Sequence, residues 1–300
     1  MGTIRISDGP ITVSIEPEIG AALTGLVLDT GDGPFRILRF ANDAGRFTDT
    51  SMYLMAPWTN RITGAAFEFQ GKTHKLRSDW EDGSAIHGDV KARPWRILDR
   101  TPLSARLAYD SRGFKDSNWP WPYEAQVRYE IDGTALVCEL GVRNLGESPM
   151  PAGVGFHPFF SRGSDQVEVK LATTGRYPVK NMIPTGPAVS DDVTSRLAKG
   201  GPLGDLALDD VFAGFGGNAE ISWPASRTEA VIECSKNFSH VVVFSPRGKQ
   251  GMEDWFCVEP VSMVTNGFNL MARGQPETGV ELVSPGAWMR ATMTIRTLRS

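Results

Sequence analysis

Tyr123-Glu124-Ala125-Gln126-Val127-Arg128-Tyr129-Glu130-Ile131 alternates apolar and polar residues without a break, and Ala135-Leu136-Val137-Cys138-Glu139-Leu140-Gly141-Val142 follows after Asp132-Gly133-Thr134. Side chains on a strand alternate between two faces, so the pattern predicts two half-buried strands joined by a tight turn at Gly133. Similar segments recur along the chain: Ile11 to Ile15, Gly25 to Leu28, Phe67 to Phe69, Trp95 to Asp99, Ala105 to Tyr109, Val167 to Leu171, Ala230 to Cys234, His240 to Phe244, Trp255 to Val258 and Trp288 to Arg296. Turn signals such as Asn144-Leu145-Gly146 and Pro285-Gly286 separate them, and no long helical period intervenes. The expected fold is therefore all-β, a large antiparallel sandwich. Met182 to Leu206, rich in Pro, Gly, Ser and Asp, reads as a long surface excursion.

All-β domains often reach 300 residues undivided, so one domain over 1–300 is expected. The first thirty residues carry Arg5, Asp8, Glu16 and Glu18 with no apolar signal region, and no apolar run could span a membrane. A cytoplasmic location without a membrane partner is the expectation. The net charge of -4 has both signs interspersed, which argues against nucleic acid as a partner. Cys138, Cys234 and Cys257 are odd in number, widely spaced and set among apolar residues, which suits buried free thiols.

Among the four histidines, one stands inside an apolar run, Gly153-Val154-Gly155-Phe156-His157-Pro158-Phe159-Phe160. Pro158 biases His157 toward extended geometry, and the strand is expected to aim His157 to one side with Phe156 and Phe159 on the other. A core histidine bonded to backbone is the competing reading. Asn60-Arg61, next to Trp58, offers fixed donors for a polyhydroxyl or anionic ligand and an indole to stack on it, or else a structural ion pair. His87-Gly88-Asp89 marks a turn that permits close approach. Leu208-Asp209-Asp210-Val211 can point only one carboxylate into a given pocket. Glu259 ends the apolar strand Trp255-Phe256-Cys257-Val258, where a carboxylate needs a partner or a task.

Taken together and in this order, Asn60-Arg61-Ile62, His87-Gly88, Trp119-Pro120-Trp121-Pro122-Tyr123, Gly155-Phe156-His157-Pro158-Phe159-Phe160, Leu208-Asp209-Asp210-Val211-Phe212 and Phe256-Cys257-Val258-Glu259-Pro260 resemble the aldose 1-epimerase (galactose mutarotase) family, from Asn60 to the carboxyl end. The resemblance implies a β-supersandwich with an open sugar cleft and no cofactor or metal. It implies Glu259 as catalytic base, His157 as acid and His87 as a second histidine near the ring oxygen, with Arg61 and Asp209 binding hydroxyls. Asn60 and Trp58 join them as candidate substrate-binding residues. Glu259 and His157 are expected to face each other across a pyranose-sized gap, the carboxylate keeping the imidazolium charged. The chain departs from the family at Asp89, Phe159 and Ala287, and Asp89 and Phe159 are expected to bear on which hydroxyls are recognised. The partner implied is a small sugar, with a homodimer left open.

Two rival readings remain. Arg61, Lys91 and Arg93 could form the cationic cluster of a hexose-6-phosphate mutarotase. A carbohydrate-binding or sensing sandwich would need no turnover. A glycosidase would use two carboxylates and leave the histidines idle, and a cupin-like metal site lacks a His-x-His pair.

Overall fold

The computed structural model describes residues 2–41, 44–163, 166–249 and 251–299. The Tyr123 hairpin forms as its pattern demands: Tyr123–Asp132 pairs with Ala135–Asn144 from Tyr123↔Asn144 to Asp132↔Ala135, and Gly133 takes a φ of 59°. It lies within an eight-stranded antiparallel sheet that runs from Arg96–Arg100 through Trp288–Arg299 to Glu168–Leu171. A ten-stranded sheet faces it. In that sheet the strands Met52–Met55, Gly155–Ser161, Trp255–Val261, His240–Ser245 and Leu208–Ala213 lie side by side in that order. The expected all-β sandwich is the observed architecture.

Strand parity divides the ten-stranded sheet into two faces. Leu54, Phe156, Phe160, Val243, Val258 and Phe212 join the main core with Leu107, Val127, Leu140 and Met293 of the eight-stranded sheet. Burying each such side chain contributes about 1.5–3 kcal/mol. The opposite face carries Tyr53, Met55, Phe159, Val242, Cys257 and Val261, in a second cluster. Phe159 therefore shares the face of His157, two residues away, and only Phe156 and Phe160 point oppositely. The expectation that Phe159 would turn from His157 is corrected by the two-residue period of the strand itself.

Excursions from the strands cover this second face. Arg61–Ile62 pairs with Ala85–Ile86, Asp89 N donates to the Ala56 carbonyl at 2.9 Å, and the helix Gly267–Ala272 packs alongside. The stretch expected to be an irregular excursion contains a helix, Asp192–Lys199, because Asp191 caps it by accepting from Thr194 N. Cys138 and Cys257 are buried, Cys234 is half-buried, and all three thiols are free. Among the described residues no helix is long and apolar enough to cross a membrane.

Candidate active site

Rows of cross-strand neighbours build the floor of a cleft of about 270 Å³. One row is read off the ladder pairs: Tyr53 opposite His157, Val242 opposite Glu259, and Val211 opposite Val242. The flanking pairs Gly155↔Val261 and Phe159↔Cys257 put His157 beside Glu259, so the four residues 53, 157, 259 and 242 stand abreast on four adjacent strands. The next row is Phe159, Cys257, Phe244 and Asp209. Arg61, Asn60, His87 and Asp209 line the same cleft as His157 and Glu259, with Trp80, Trp255 and Arg39. Its size is just below that of a typical drug-sized pocket, about 300–1,000 Å³.

His157 Nε2 lies 3.1 Å from Glu259 Oε1, both side chains nearly wholly buried. The expected pyranose-sized gap is thus a direct contact, because cross-strand neighbours on one face stand only about 4.5–5.5 Å apart at Cβ. Tyr53 stacks on the imidazole with centroids 4.3 Å apart, and the His87 ring meets it edge-on at 5.3 Å. His157 Nδ1 is buried without a hydrogen bond among the described residues.

Burial dominates the electrostatics of the pair. It lowers the His157 pKa to about 3, helped by the positive charge of Arg39 and opposed by the residue's own backbone. It raises Glu259 well above the ordinary carboxylate range, aided by Asp209 and opposed by Arg61. The expectation of an imidazolium held charged by its carboxylate is therefore corrected: burial favours the uncharged form of the pair, with the proton on Glu259. The ion pair is its tautomer, one proton transfer away along the hydrogen bond. Burial likewise holds His87 well below its usual range, with His157, Lys91 and Arg61 adding to the effect. Asp209 is solvent-accessible yet walled on most sides, which raises its pKa; Arg61 opposes the rise and Asp210 adds to it.

Local geometry explains how His87 reaches the pair. Its backbone is left-handed, φ 57°, and its N donates to the Asn60 carbonyl at 2.9 Å. Nδ1 sits 2.9 Å from Met55 Sδ. Gly88 is obligatory beside it, since a Cβ there would fall 2.0 Å from the Ala56 carbonyl oxygen. Lys91 clamps the loop from beneath: its ammonium donates to the carbonyls of Ile86 at 2.5 Å and Gly88 at 2.8 Å and pairs with Asp79 at 2.6 Å. Arg61 is steadied by Asp82 at 2.9 Å and by Asn60 Oδ1 at 3.3 Å.

Several expectations change. Trp58 does not reach the cleft: it is wholly buried, stacks on Trp119 at 5.3 Å and donates Nε1 to the Ala85 carbonyl at 3.3 Å, because the turn it precedes folds back over the core. Asp89 is also outside the cleft lining, accepting from the Tyr109 and Tyr123 hydroxyls at 3.1 Å and from Ser117 at 2.8 Å. Lys91 and Arg93 do not line the cleft either, so no phosphate cluster forms with Arg61; Arg93 pairs with Asp89 and Asp116. Tyr53, Arg39 and Trp255 line the cleft without having been singled out in the sequence. Neither Tyr53, inside the wholly apolar run Met52-Tyr53-Leu54-Met55, nor Arg39 carried a signal in the sequence.

Cys257 Sγ and ligand atoms of His157 and Glu259 lie within 4.8 Å of one another, the one such metal-capable set among the described residues. Burial and the adjacent Glu259 raise the Cys257 thiol well above its usual range, and Arg39 and Arg61 stand nearby. A protonated set beside two cations is poorly suited to a divalent ion.

The family profile described as aldose 1-epimerase matches residues 2–296, starting well before the Asn60 motif where the resemblance was expected to begin. The uncharacterised protein YphB of Escherichia coli (strain K12) is 24% identical over 303 residues, covering 99% of each chain. The structure of a galactose mutarotase-like protein from Clostridium acetobutylicum superposes with a TM-score of 0.84 at 19% identity, covering 99% of this chain and 95% of that one. A GalM/aldose epimerase homologue from C. elegans gives 0.82 at 17%, covering 99% of each. At such identities these structures speak for the fold alone.

Proposed function

The chain belongs to the aldose 1-epimerase family, and from that premise we propose that it is a mutarotase interconverting the α and β anomers of a free aldose by acid/base ring opening and closure. The observation that carries the reading is the 3.1 Å contact of His157 with Glu259 on the floor of a sugar-sized cleft. In a pyranose, the O1 hydroxyl and the ring oxygen share one carbon. A base for one and an acid for the other must therefore converge on one spot, as neighbours in a row of the sheet do.

Ring opening begins from the ion-pair tautomer. Glu259 takes the O1 proton, His157 gives its proton to the ring oxygen, and the C1 to ring-oxygen bond breaks to leave the open-chain aldehyde. Both groups are then uncharged, the form that burial favours. Rotation about C1 to C2 turns the other carbonyl face, and the reverse transfers close the ring and restore the pair. Positioned acids and bases contribute about 10²- to 10⁴-fold each. His87, neutral, serves as a hydrogen-bonding group near the ring oxygen, and Arg61, Asn60 and Asp209 as hydroxyl-binding groups.

Polarimetry of freshly dissolved α-glucose and α-galactose, extended to pentoses and hexose 6-phosphates, tests this. Acceleration that Glu259→Gln and His157→Ala leave unchanged would overturn the roles given to both residues. No acceleration of any sugar would leave a binding cleft without turnover.

A further inference from the structure

Arg39 lines the cleft, yet anomer exchange gives it no task. Its Nε donates to the Thr50 carbonyl at 2.9 Å and its Nη2 to the Thr48 carbonyl. The guanidinium lies over Phe159, its Cζ 3.6 Å from the ring centroid, and 5.0 Å from that of Trp255. Phe159 in turn packs on His157 with centroids 4.6 Å apart, so the cation is one ring removed from the proton-transfer pair. A guanidinium carries five N–H donors, and two are taken here.

What distinguishes Arg39 is its lack of a counter-ion. Arg61, Lys91 and Arg93 each have a carboxylate partner. Among the described residues none lies in ion-pair contact with Arg39; Asp49 pairs with Arg46, and Asp49 and Asp254 reach Arg39 through their fields only. A half-buried cation without a counter-ion is costly to hold, and an anionic ligand would complete it. The carboxyls already in the cleft do not fill that place: burial keeps the proton on Glu259, and Asp209 lies in the field of Arg61.

We propose that Arg39 reads a carboxylate on the substrate, so that the cleft takes an aldose acid, a hexuronate, in preference to a neutral aldose. The inference rests on the mutarotase reading of the same cleft and names its substrate class. A guanidinium fork matches a planar carboxylate in geometry and in charge. A phosphate dianion would call for further cations, and Lys91 and Arg93 are committed elsewhere. Phe159 and Trp255 wall the guanidinium with apolar rings, where a charge-assisted bond is stronger than in open water.

The test compares D-galacturonate, D-galactose and galactose 6-phosphate by anomer-exchange NMR, for the wild-type chain, Arg39→Gln and Arg39→Lys. The expected result is a KM for galacturonate roughly 10- to 100-fold below that for galactose, the effect of one hydrogen-bonded charge pair. Arg39→Gln should abolish that gap, raising the galacturonate KM far more than the galactose KM, and Arg39→Lys, charged but without the fork, should restore part of it. Equal or better use of galactose by the wild type overturns the proposal, as does preference for the 6-phosphate. A loss in Arg39→Gln that is the same for acid and neutral sugar also overturns it, since it would make Arg39 a tether of the Thr48 to Thr50 segment. Calorimetric binding of galacturonate against galactose decides the same question if no sugar is turned over. Failure of the mutarotase reading is thereby told apart from failure of this one.

Discussion

Glu259→Gln should separate stability from catalysis. In an unfolded chain this carboxyl ionises near its ordinary value of 4.5, whereas in the fold burial and Asp209 hold its proton to well above that. Between the two values the folded protein binds the extra proton. Taken alone, this titration weakens the wild type by about 1.4 kcal/mol for each pH unit above 4.5 until Glu259 ionises in the fold, and below 6.5 the depressed His157, protonated only in the unfolded chain, offsets it. Glutamine has no proton to lose, and its amide can donate to His157 Nε2 in place of the protonated carboxyl, so the contribution of His157 cancels in the comparison. Urea unfolding of both proteins from pH 4.5 to 8 should show the variant gaining on the wild type along that slope, at constant m-value. In the same preparations anomer exchange should fall by about 10²- to 10⁴-fold. A stability difference that does not change with pH would mean that Glu259 is already ionised in the fold, and the uncharged pair would be refuted.

The acid side of the activity profile tests the other half of the pair. His157 is depressed from 6.5 to about 3 by burial and Arg39, and a second proton on the pair would remove the base, so kcat/KM should hold as the pH falls through 6.5 and drop only toward the lower value. An acid limb at 6.5, measured where circular dichroism shows the fold intact, would contradict it. Trp58→Ala should cost about 3–5 kcal/mol in thermal unfolding, as for other large core truncations, while Trp58→Phe leaves the KM for sugar unchanged. Gly88→Ala puts a Cβ 2.0 Å from the Ala56 carbonyl oxygen at a φ of +79°, and should lower stability by about 1–3 kcal/mol or more and displace His87, read as a loss of both melting temperature and kcat.

The sequence by itself determined which residues become strands and which chemistry was at hand. Alternation in Tyr123 to Val142 is enough to pair those arms, since half-buried strands must show one face to water. The ordered motifs around Arg61, His87, His157, Asp209 and Glu259 named five cleft residues from parts of the chain far apart. Alternation was less legible where both faces of a strand are covered: Gly155–Ser161 is buried at almost every position, so its composition did not mark which face meets the core and which the cleft. Tertiary structure alone decided the rest. It placed His157 and Glu259 in contact, because register fixes which residues of two strands stand abreast. It also shifted both toward their uncharged forms, because burial depends on what covers the sheet. Trp58 went to the core and Arg39 to the cleft through the folding back of loops, a matter of long-range packing on which the identity of a tryptophan or an arginine is silent.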